Sequence, residues 1–443
     1  MRRHDNRNRD HHTRDGQGMK LNKIIPNKLS KVSIASKPIK ISNKIKPYNI
    51  EGFVKLKTAL NEKKSEMDVF YLDKTKGESF GQMVNALRIT NQLRYDMEHD
   101  FNGQHVTRAW LKFYELFVHF DFVGRILRTH NAPAHPQLKI FFNAELPGAG
   151  ICAINHLMKT HYSNVDYTWV ANSLVLGDSV DERINALGDQ YGIWEHNKDN
   201  WLMNVGDESG GYMNDGDVTK LDNILDMKRK IGNNKPNIVT HDAGIDVSYV
   251  VEDLDEQTGF NTQEYKNMKI HFGCAVAAFE TLADQGIFMA KQYTFFETFT
   301  TNLILIYASM FEEFYVCKPL TSGHSNSEIY LVGIGFKGFP DKYRKIFHER
   351  MINWNVNPFT PADNVPQDAS AELERYCRLR NTEQIQYINE NIKIFNDSRG
   401  NVFTVKNYMR DIQRKFSTDW IRMYQPRRIT DSDKVADSAS SGN

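Results

Sequence analysis

Short apolar runs alternate with longer segments of helical periodicity between residues 139 and 336 of this chain. The apolar runs predict strands at Lys139–Glu145, Asp166–Ala171, Trp201–Val205, Asn237–Asp242, Gly286–Lys291, Glu313–Lys318 and Glu328–Phe336, the last two as a closing pair. The segments between them predict helices at Ile151–Lys159, Thr262–Asp284 and Phe296–Met310. This alternation is typical of a mostly parallel sheet with helices on both faces, so the sequence predicts an α/β fold.

Helical patterns flank this region on both sides. In the N-terminal part, apolar residues such as Phe80, Met83 and Leu87 recur at helix spacing. In the C-terminal part, helices are predicted at Ile385–Ile394 and Val405–Trp420. The predicted organisation is a disordered tail leading into an extended arm over residues 1–50, a helical extension over 51–104, the α/β domain over 105–338, a helical region over 339–427 and a disordered tail over 428–443.

The N-terminal segment is strongly basic. Of the 56 lysines and arginines, 13 lie in residues 1–50, against 3 of the 55 acidic residues, so the segment has a net charge of +10 and the remainder −9. A basic tail on an acidic body favours attraction to a polyanion such as RNA. A solvated tail that only aids solubility is the alternative, and composition alone does not separate the two.

Composition also argues against several classes of protein. The four cysteines are scattered, without a Cys-x-x-Cys pair, which argues against a disulfide scaffold or a cysteine zinc site and suits a reducing compartment. The polar, charged N-terminus predicts no secretory signal. The most apolar segment, Phe295–Val316, contains Glu297, Glu312 and Glu313, whereas a membrane span needs about 20 mostly uncharged residues.

The stretch Asn143–Leu157 places glycines where a predicted strand turns into a predicted helix. After Glu145, the chain reads Leu-Pro-Gly-Ala-Gly. Such a turn offers backbone N–H groups and lets a ligand approach closely. The spacing matches neither the dinucleotide fingerprint nor a P-loop. Taken alone, the stretch is equally consistent with an ordinary strand–helix turn.

Three of the predicted strands have a charged residue at one end. Asp242 follows an apolar strand, Lys291 ends another, and Glu328 begins the last one. A loop reading Asn-Asp-Gly-Asp-Val-Thr, residues 214–219, adds two carboxylates. Each feature has an ordinary explanation, such as a helix cap or an Asx turn. Because ligands bind beyond the carboxyl ends of strands in this fold class, the set together predicts a site there.

Six motifs in this order resemble the FtsJ-like 2′-O-ribose methyltransferases. They are RAWLKFYEL (108–116), ELPGAG (145–150), DGDVT (215–219), THDAGIDV (240–247), MAKQYT (289–294) and KPLTSGHSNSEIYLVG (318–333). The chain is most similar to the cap-methyltransferase branch and, within it, to the African swine fever virus group. The resemblance covers roughly residues 65–337. It implies a Rossmann-like methyltransferase sheet, mostly parallel with an antiparallel last strand, with helical extensions at both ends.

The resemblance also implies a catalytic site. The family's Lys-Asp-Lys-Glu tetrad falls on Lys112, Asp242, Lys291 and Glu328. In this family the second lysine, here Lys291, is the general base toward the ribose hydroxyl. An ordinary lysine titrates near ~10.4, and a neighbouring positive charge favours the neutral form that can accept a proton. Lys112 is the candidate for that charge.

The methyl donor implied by the resemblance is S-adenosyl-L-methionine. Its expected site consists of Glu145, Pro147, Gly148, Ala149, Gly150, Asp217, Val218 and Asp242, with Ser173 as a candidate near the donor's ribose. The family turn reads Pro-Gly-Gly, so Ala149 is a departure that Gly150 is expected to offset. No metal is expected, because His156 and His161 are five residues apart and share a helix face poorly.

The expected substrate is the cap-adjacent nucleotide of mRNA, with internal RNA sites or a non-catalytic RNA-binding role as alternatives. Other capping or transcription proteins are candidate partners, and the host cytoplasm or the virion is the expected location. A cap pocket needs aromatic side chains around the methylated guanine. The candidates are Tyr71, Trp110, Tyr114 and Tyr293, for which core packing is the alternative role.

Overall fold

The computed structural model describes residues 28–35, 40–42, 51–72, 74–129, 137–206, 213–245, 262–357, 360–362 and 367–436. Its nine strands among these residues are β1 (Ser30–Ser33), β2 (Lys40–Ser42), β3 (Gln137–Asn143), β4 (Asp166–Asn172), β5 (Ile238–His241), β6 (Ile287–Gln292), β7 (Phe311–Lys318), β8 (Ile329–Phe336) and β9 (Thr360–Ala362). Seven of them form one sheet in the order β1-β7-β8-β6-β5-β3-β4, and β2 pairs with β9 in a small second sheet.

The main sheet is mostly parallel. Strand β3 pairs in parallel with β4 and β5, and β5 pairs in parallel with β6. Strand β8 lies between β6 and β7 and runs antiparallel to both. The predicted α/β sheet with an antiparallel last strand is therefore confirmed. Strand β1 adds a further antiparallel strand at the β7 edge.

The α-helices of the described residues are α1 (Glu51–Leu72), α2 (Lys74–Ala86), α3 (Asn91–His99), α4 (Arg108–His119), α5 (Phe122–Thr129), α6 (Ala149–His161), α7 (Val180–Ala186), α8 (Leu221–Ile231), α9 (Gln263–Thr281), α10 (Thr298–Ser309), α11 (Asp341–Ile352), α12 (Gln367–Asp397) and α13 (Val402–Tyr424). Helix α4 packs against α6, and α8 packs against α9. The terminal helices also meet, because α1 packs on α12 and α13 packs on α2 and α3.

The central strands are apolar because both of their faces are covered. Every residue of β5 and β8 is buried, as expected for strands between two helical layers. Along β3, Phe142 belongs to the hydrophobic core on one face of the sheet and Phe141 to the core on the other. Alternate side chains of a strand point to opposite faces, so the apolar run Ile140–Phe142 contributes to both cores.

Strand β3 lies at the topological switch point of the sheet. The chain passes from β3 to its neighbour β4 on one side and then returns to β5 on the other side. In open α/β sheets, ligands bind in the crevice beyond the carboxyl end of such a strand. The glycine-containing turn at residues 145–150 follows β3 directly, so the fold places it in that crevice.

One predicted strand is wrong. Residues 201–205 form a single bridge, between Trp201 and Ala171, instead of a strand. Strand β4 ends at Asn172, one residue beyond the bridge, so little strand remains for the segment to pair with. The chain turns away instead, and the N–H of Asn204 donates to the carbonyl of Asn214 at 2.8 Å.

Both terminal segments contain order that their composition does not predict. Strand β1, within the basic segment, is paired with β7. In the C-terminal segment, which was predicted to be disordered, residues 431–436 are held against the loop before α4. Gln104 donates to the carbonyl of Ala436 at 2.7 Å and accepts from the N–H of Val435 at 2.9 Å. Residues 1–27 and 437–443 lie outside the described residues.

Within the described residues, no helix combines the length and the apolar character that a membrane crossing requires.

Candidate active site

A buried ion pair joins α4 to the start of β8. The ammonium group of Lys112 lies 2.7 Å from one carboxylate oxygen of Glu328 and 2.8 Å from the other. The hydroxyl of Ser322 donates to the same carboxylate at 2.8 Å. Residues 110–117 of α4 are buried throughout, and a lysine in such a place requires a partner to offset its lost hydration.

The charges around Glu328 keep its carboxyl group ionised. Burial raises the pKa of Glu328, but the ammonium groups of Lys112, Lys291 and Lys318 outweigh burial and lower it to about 2. Lys318 also donates to the backbone carbonyl of Glu328 at 2.7 Å. The carboxylate of Glu328 therefore stays negatively charged and interacts with all three lysines.

A second lysine–carboxylate pair lies beside the first. The ammonium group of Lys291 donates to the backbone carbonyl of Asp242 at 2.6 Å and lies 3.5 Å from its carboxylate. The hydroxyl of Tyr330 donates to that carboxylate at 2.8 Å. Lys291 is in β6 and Asp242 directly follows β5, so adjacent strands present the two groups at the same edge of the sheet.

The sheet register connects the two pairs. Lys291 and Tyr330 are register partners across β6 and β8, and the ammonium group of Lys112 lies 5.7 Å from the centre of the Tyr330 ring. The structure therefore brings together all four residues predicted for the tetrad. Gly244 leaves room for them, since a Cβ atom there would lie 3.3 Å from the Lys291 ammonium nitrogen.

The turn after β3 requires its glycines. Gly148 has a φ of +98°, a conformation that residues with a Cβ rarely adopt. A Cβ atom at Gly150 would lie 2.6 Å from the ring of Phe113. Ala149, the departure from the family turn, begins α6 and is buried. The backbone geometry of the turn thus depends on the glycines at 148 and 150.

Glu145 caps the helix that follows this turn. Its carboxylate accepts from the N–H of Gly150 at 2.6 Å and from that of Ile151 at 3.1 Å. A negative charge at a helix N-terminus is favourable. Burial nevertheless raises the pKa of Glu145, and the charge of Asp242 raises it further, to about 8.

The raised pKa of Glu145 predicts a pH-dependent stability. The folded-state pKa of Glu145 is about 8, whereas the ordinary value is 4.5. Its contribution to folding stability is therefore fully present below pH 4.5 and is lost as the pH rises through about 8. At about 1.4 kcal/mol per unit, the loss is at most about 5 kcal/mol. Urea unfolding is measured for wild type and Glu145→Gln between pH 4.5 and 8. The free energy of unfolding is expected to decline with rising pH in wild type only. Parallel curves would contradict it.

The Asp-Gly-Asp loop is fixed to the end of β4. The side chain of Asn172 donates to the carbonyl of Gly216 at 3.0 Å, and the N–H of Val175 donates to the carbonyl of Asp215 at 2.8 Å. The hydroxyl of Ser173 accepts from the N–H of Leu146 at 3.3 Å. The loop and the glycine turn therefore border the same crevice, with Ser173 between them.

Gly216 offers a direct test of this loop. It has a φ of +75°, and a Cβ atom there would overlap the backbone carbonyl oxygen of Ser173. Gly216→Ala is expected to shift the loop and weaken donor binding about tenfold or more, which corresponds to about 1.4 kcal/mol. The measurement is equilibrium dialysis with labelled S-adenosylmethionine.

Gly188→Ala is the matched control for Gly216→Ala. Gly188 has a similar φ of +63°, but a Cβ atom there meets nothing within 4 Å. The Gly188→Ala variant is expected to bind the donor as tightly as wild type does. Both substitutions strain the backbone at a positive φ, but only Gly216→Ala causes a steric overlap. Equal affinities in all three proteins would contradict a role of the loop in donor binding.

Buried polar atoms without partners lie at the carboxyl ends of β3 and β4. The side-chain amide of Asn172 donates to Asn143 at 3.0 Å, yet the amide nitrogen of Asn143 and the amide oxygen of Asn172 have no hydrogen-bond partner among the described residues. These asparagines end β3 and β4. Unsatisfied buried polar atoms are rare in proteins, so the crevice fits a polar ligand.

Other predicted site residues lie apart from the open crevice. The side chain of Val218 is buried in the hydrophobic core, and its backbone carbonyl faces Gly273. Trp110 and Tyr114 are fully buried and stack on each other with ring centres 5.2 Å apart. Tyr293 is buried and lines a cavity beside Glu328. The side chain of Tyr71 lies outside the described residues.

Sequence reasoning missed two residues of the site. Tyr330 was detectable in principle, because it is two residues after Glu328 and side chains at that spacing share a face of a strand. Ser322 carries no such signal, since it lies in the loop between β7 and β8. Its contact with Glu328 depends on how that loop folds.

Histidines and carboxylates do not gather into a metal site in the part of the chain that the structure describes. His156 instead contacts the carbonyl of Arg427 at 2.7 Å.

Comparison with known proteins places this chain in a family. A family model described as FtsJ-like methyltransferase matches residues 184–336. A protein of African swine fever virus, isolate Pig/Kenya/KEN-50/1950, named probable methyltransferase EP424R, is 31% identical over 84% of this chain and 83% of its own length. The chain belongs to the FtsJ-like methyltransferases. Enzymes of this family take their methyl group from S-adenosylmethionine.

More distant relatives of this FtsJ-like methyltransferase are cellular proteins. The mouse protein named cap-specific mRNA (nucleoside-2′-O-)-methyltransferase 2 is 26% identical over 66% of this chain and 36% of its own length. A crystal structure of a ribosomal RNA methyltransferase from Plasmodium falciparum overlaps 53% of this chain and 99% of its own, with a TM-score of 0.33 and 16% identity. An overlap that weak supports no assignment.

Proposed function

We propose that this FtsJ-like methyltransferase transfers a methyl group to the 2′-hydroxyl of an RNA ribose, at the nucleotide next to the mRNA cap. The observation that carries the proposal is the pairing of Lys112 with Glu328 beside the pairing of Lys291 with Asp242, at the edge of the sheet where ligands bind. Two lysines and two carboxylates at this position match the family's tetrad in residue type and order.

The reaction needs alignment and proton removal. S-adenosylmethionine, when bound, supplies an electrophilic methyl group on a sulfonium. The ribose oxygen forms a bond to the methyl carbon, the carbon–sulfur bond breaks with its electron pair going to sulfur, and the hydroxyl proton leaves. Lys291 takes this proton as the general base. Holding the two reactants in line can supply about 7–11 kcal/mol in favourable cases.

The neighbours of Lys291 orient it for this task. The carbonyl and the carboxylate of Asp242 hold the ammonium group on two sides, and the hydroxyl of Tyr330 fixes that carboxylate. The Lys112–Glu328 pair lies beside the ring of Tyr330 and would border the acceptor position. Its fixed charges orient the ribose hydroxyl.

The methyl donor would lie along the crevice beyond β3. Residues 145–150 would hold its amino-acid part, since this turn follows β3 directly and leads into the N-terminus of α6. Asp217 would contact the adenine side, and Asn143 and Asn172 offer the unsatisfied polar atoms. Asp242 borders both this crevice and the acceptor position, because its charge acts on Glu145 and its side chain contacts Lys291.

Two observations support a capped RNA as the acceptor. The mouse relative bears the name of a cap-specific mRNA 2′-O-methyltransferase. The first 50 residues carry a net charge of +10, which favours a polyanionic substrate.

The test is transfer of a labelled methyl group to three RNAs of the same sequence. The first has a 7-methylguanosine cap, the second has none, and the third has the cap but a 2′-deoxyribose at the first nucleotide. Transfer to the first RNA alone is the expected result. Equal transfer to all three would move the acceptor to an internal site, and no transfer to any of them would contradict the proposal.

A further inference from the structure

A cavity of about 390 Å³ opens beside Glu328, outside the methyltransferase sheet. One wall is the loop between β7 and β8, and the others come from helices α1, α2 and α12, the connection between α2 and α3, and the start of α4. The terminal extensions and the α/β domain therefore build it together. Glu328 and Tyr293 lie at its boundary with the tetrad.

The charge of the cavity is positive. Lys64, Arg88 and Arg108 line it, and its one lining carboxylate, Glu328, is already paired with Lys112. Arg108 is one helical turn before Lys112 on α4, so the two side chains share a face of that helix. Arginine stays charged in proteins and binds phosphate oxygens well.

Aromatic rings supply a second kind of contact. His324 and Tyr387 both line the cavity and stack, with ring centres 4.8 Å apart and an angle of 22° between the planes. His324 is only 7% exposed, and neither of its ring nitrogens makes a hydrogen bond of good geometry among the described residues, although the carbonyl of Leu320 lies near the ring. A buried polar group left unpaired in this way calls for an explanation.

The imidazole of His324 is neutral. Burial lowers its pKa well below the usual range, and the charges of Lys318 and Arg380 lower it further, while the carbonyl of Leu320 acts the other way. A neutral imidazole has one donor and one acceptor nitrogen. That pattern can pair with the edge of a nucleobase, which also presents donors and acceptors.

We propose that this cavity binds one nucleotide of the substrate RNA, adjacent to the nucleotide that is methylated. Its base would lie against the His324–Tyr387 pair and its phosphate against Arg108. The volume suits a single nucleotide, being near the lower end of the ~300–1,000 Å³ typical of ligand sites. The inference rests on the proposed function, and it adds that the terminal helices take part in RNA recognition.

The experiment measures RNA binding directly, without turnover. The probe is a fluorescein-labelled ten-nucleotide RNA with a 7-methylguanosine cap, followed by anisotropy. Arg108→Gln is expected to raise its Kd about tenfold or more, as for the loss of a charged hydrogen bond. His324→Phe keeps the stacked ring and removes only the unpaired nitrogens, so a rise of about threefold to tenfold is expected without loss of folding.

Arg375→Gln is the matched control, because Arg375 lies on α12 but points to solvent and, among the described residues, pairs with Glu372 alone. Its RNA affinity is expected to equal that of wild type. The affinity for S-adenosylmethionine and the thermal midpoint are measured for every variant, and both are expected to be unchanged in His324→Phe.

The outcomes separate this inference from the proposed function. If wild type methylates RNA but both cavity variants bind the probe as wild type does, the cavity has no role and the inference is wrong. If wild type binds the probe without methylating any RNA, and the variants bind it more weakly, the role of the cavity in RNA binding is supported and the proposed function is wrong. Absence of RNA binding by wild type overturns both.

Discussion

Replacing Lys291 by alanine is expected to reduce methyl transfer by about 10²–10⁴-fold, the contribution of a positioned general base. The ammonium nitrogen of Lys291 is the group that Asp242 holds at the acceptor edge of the sheet. Donor affinity is expected to remain within about twofold of wild type, since no contact of the glycine turn is removed. Single-turnover transfer of a labelled methyl group, measured beside equilibrium donor binding, separates the two effects.

Lys291→Arg distinguishes a base from a mere positive charge. Arginine keeps the charge but cannot be deprotonated in proteins, so this variant is expected to be as inactive as the alanine variant. Lys198→Ala is the control, because Lys198 is exposed and its ammonium group contacts Glu195 and the ring of Trp194 on the surface. An arginine variant with near wild-type turnover would exclude Lys291 as the base.

Replacing Glu328 by alanine is expected to destabilise the protein by about 3–5 kcal/mol and to abolish activity. The variant leaves Lys112 buried without its carboxylate, and it also removes the acceptor for Ser322. The cost of an uncompensated buried charge exceeds that of losing the pair as a whole. Urea unfolding measures the stability, and methyl transfer measures the activity.

The double variant Lys112→Met with Glu328→Leu tests the origin of that cost. It removes both charges at similar volume, so most of the lost stability is expected to return while activity does not. The pH dependence gives a second check. The pKa of Glu328 is about 2 in the folded protein, whereas the ordinary value is 4.5. The contribution of Glu328 to folding stability is therefore fully present above pH 4.5 and is lost as the pH falls through about 2. A double variant as unstable as Glu328→Ala would contradict this account.

Much of the fold could be predicted from local pattern. The apolar runs that became β3, β5, β6 and β8 are buried on both faces, and such burial leaves a clear trace in sequence. Strand β1 leaves none, because four residues in a basic segment gain their structure only by pairing with β7. The same holds for residues 431–436, whose order depends on hydrogen bonds to Gln104, more than 300 positions earlier.

The candidate site was predictable to a different degree at each residue. Asp242, Lys291 and Glu328 lie at strand ends, and the rule that ligands bind there points to them directly. Lys112 lies on a helix amid apolar residues, so only resemblance to a family singled it out. The cavity at His324 was beyond sequence reasoning, since its walls come from segments on both sides of the α/β region.

The pairing of β1 with β7 has a consequence for the basic segment. Ser30 is opposite Lys318, which is at the carboxyl end of β7 and contacts Glu328. The chain before Ser30 therefore departs from the catalytic edge of the sheet. A polyanion bound anywhere along residues 1–27 would be tethered within about 100 Å of Ser30, the greatest reach of a chain of that length. An RNA tethered in this way reaches the tetrad by an intramolecular step. Weak, sequence-independent contacts can therefore raise the effective concentration of RNA ends at the tetrad.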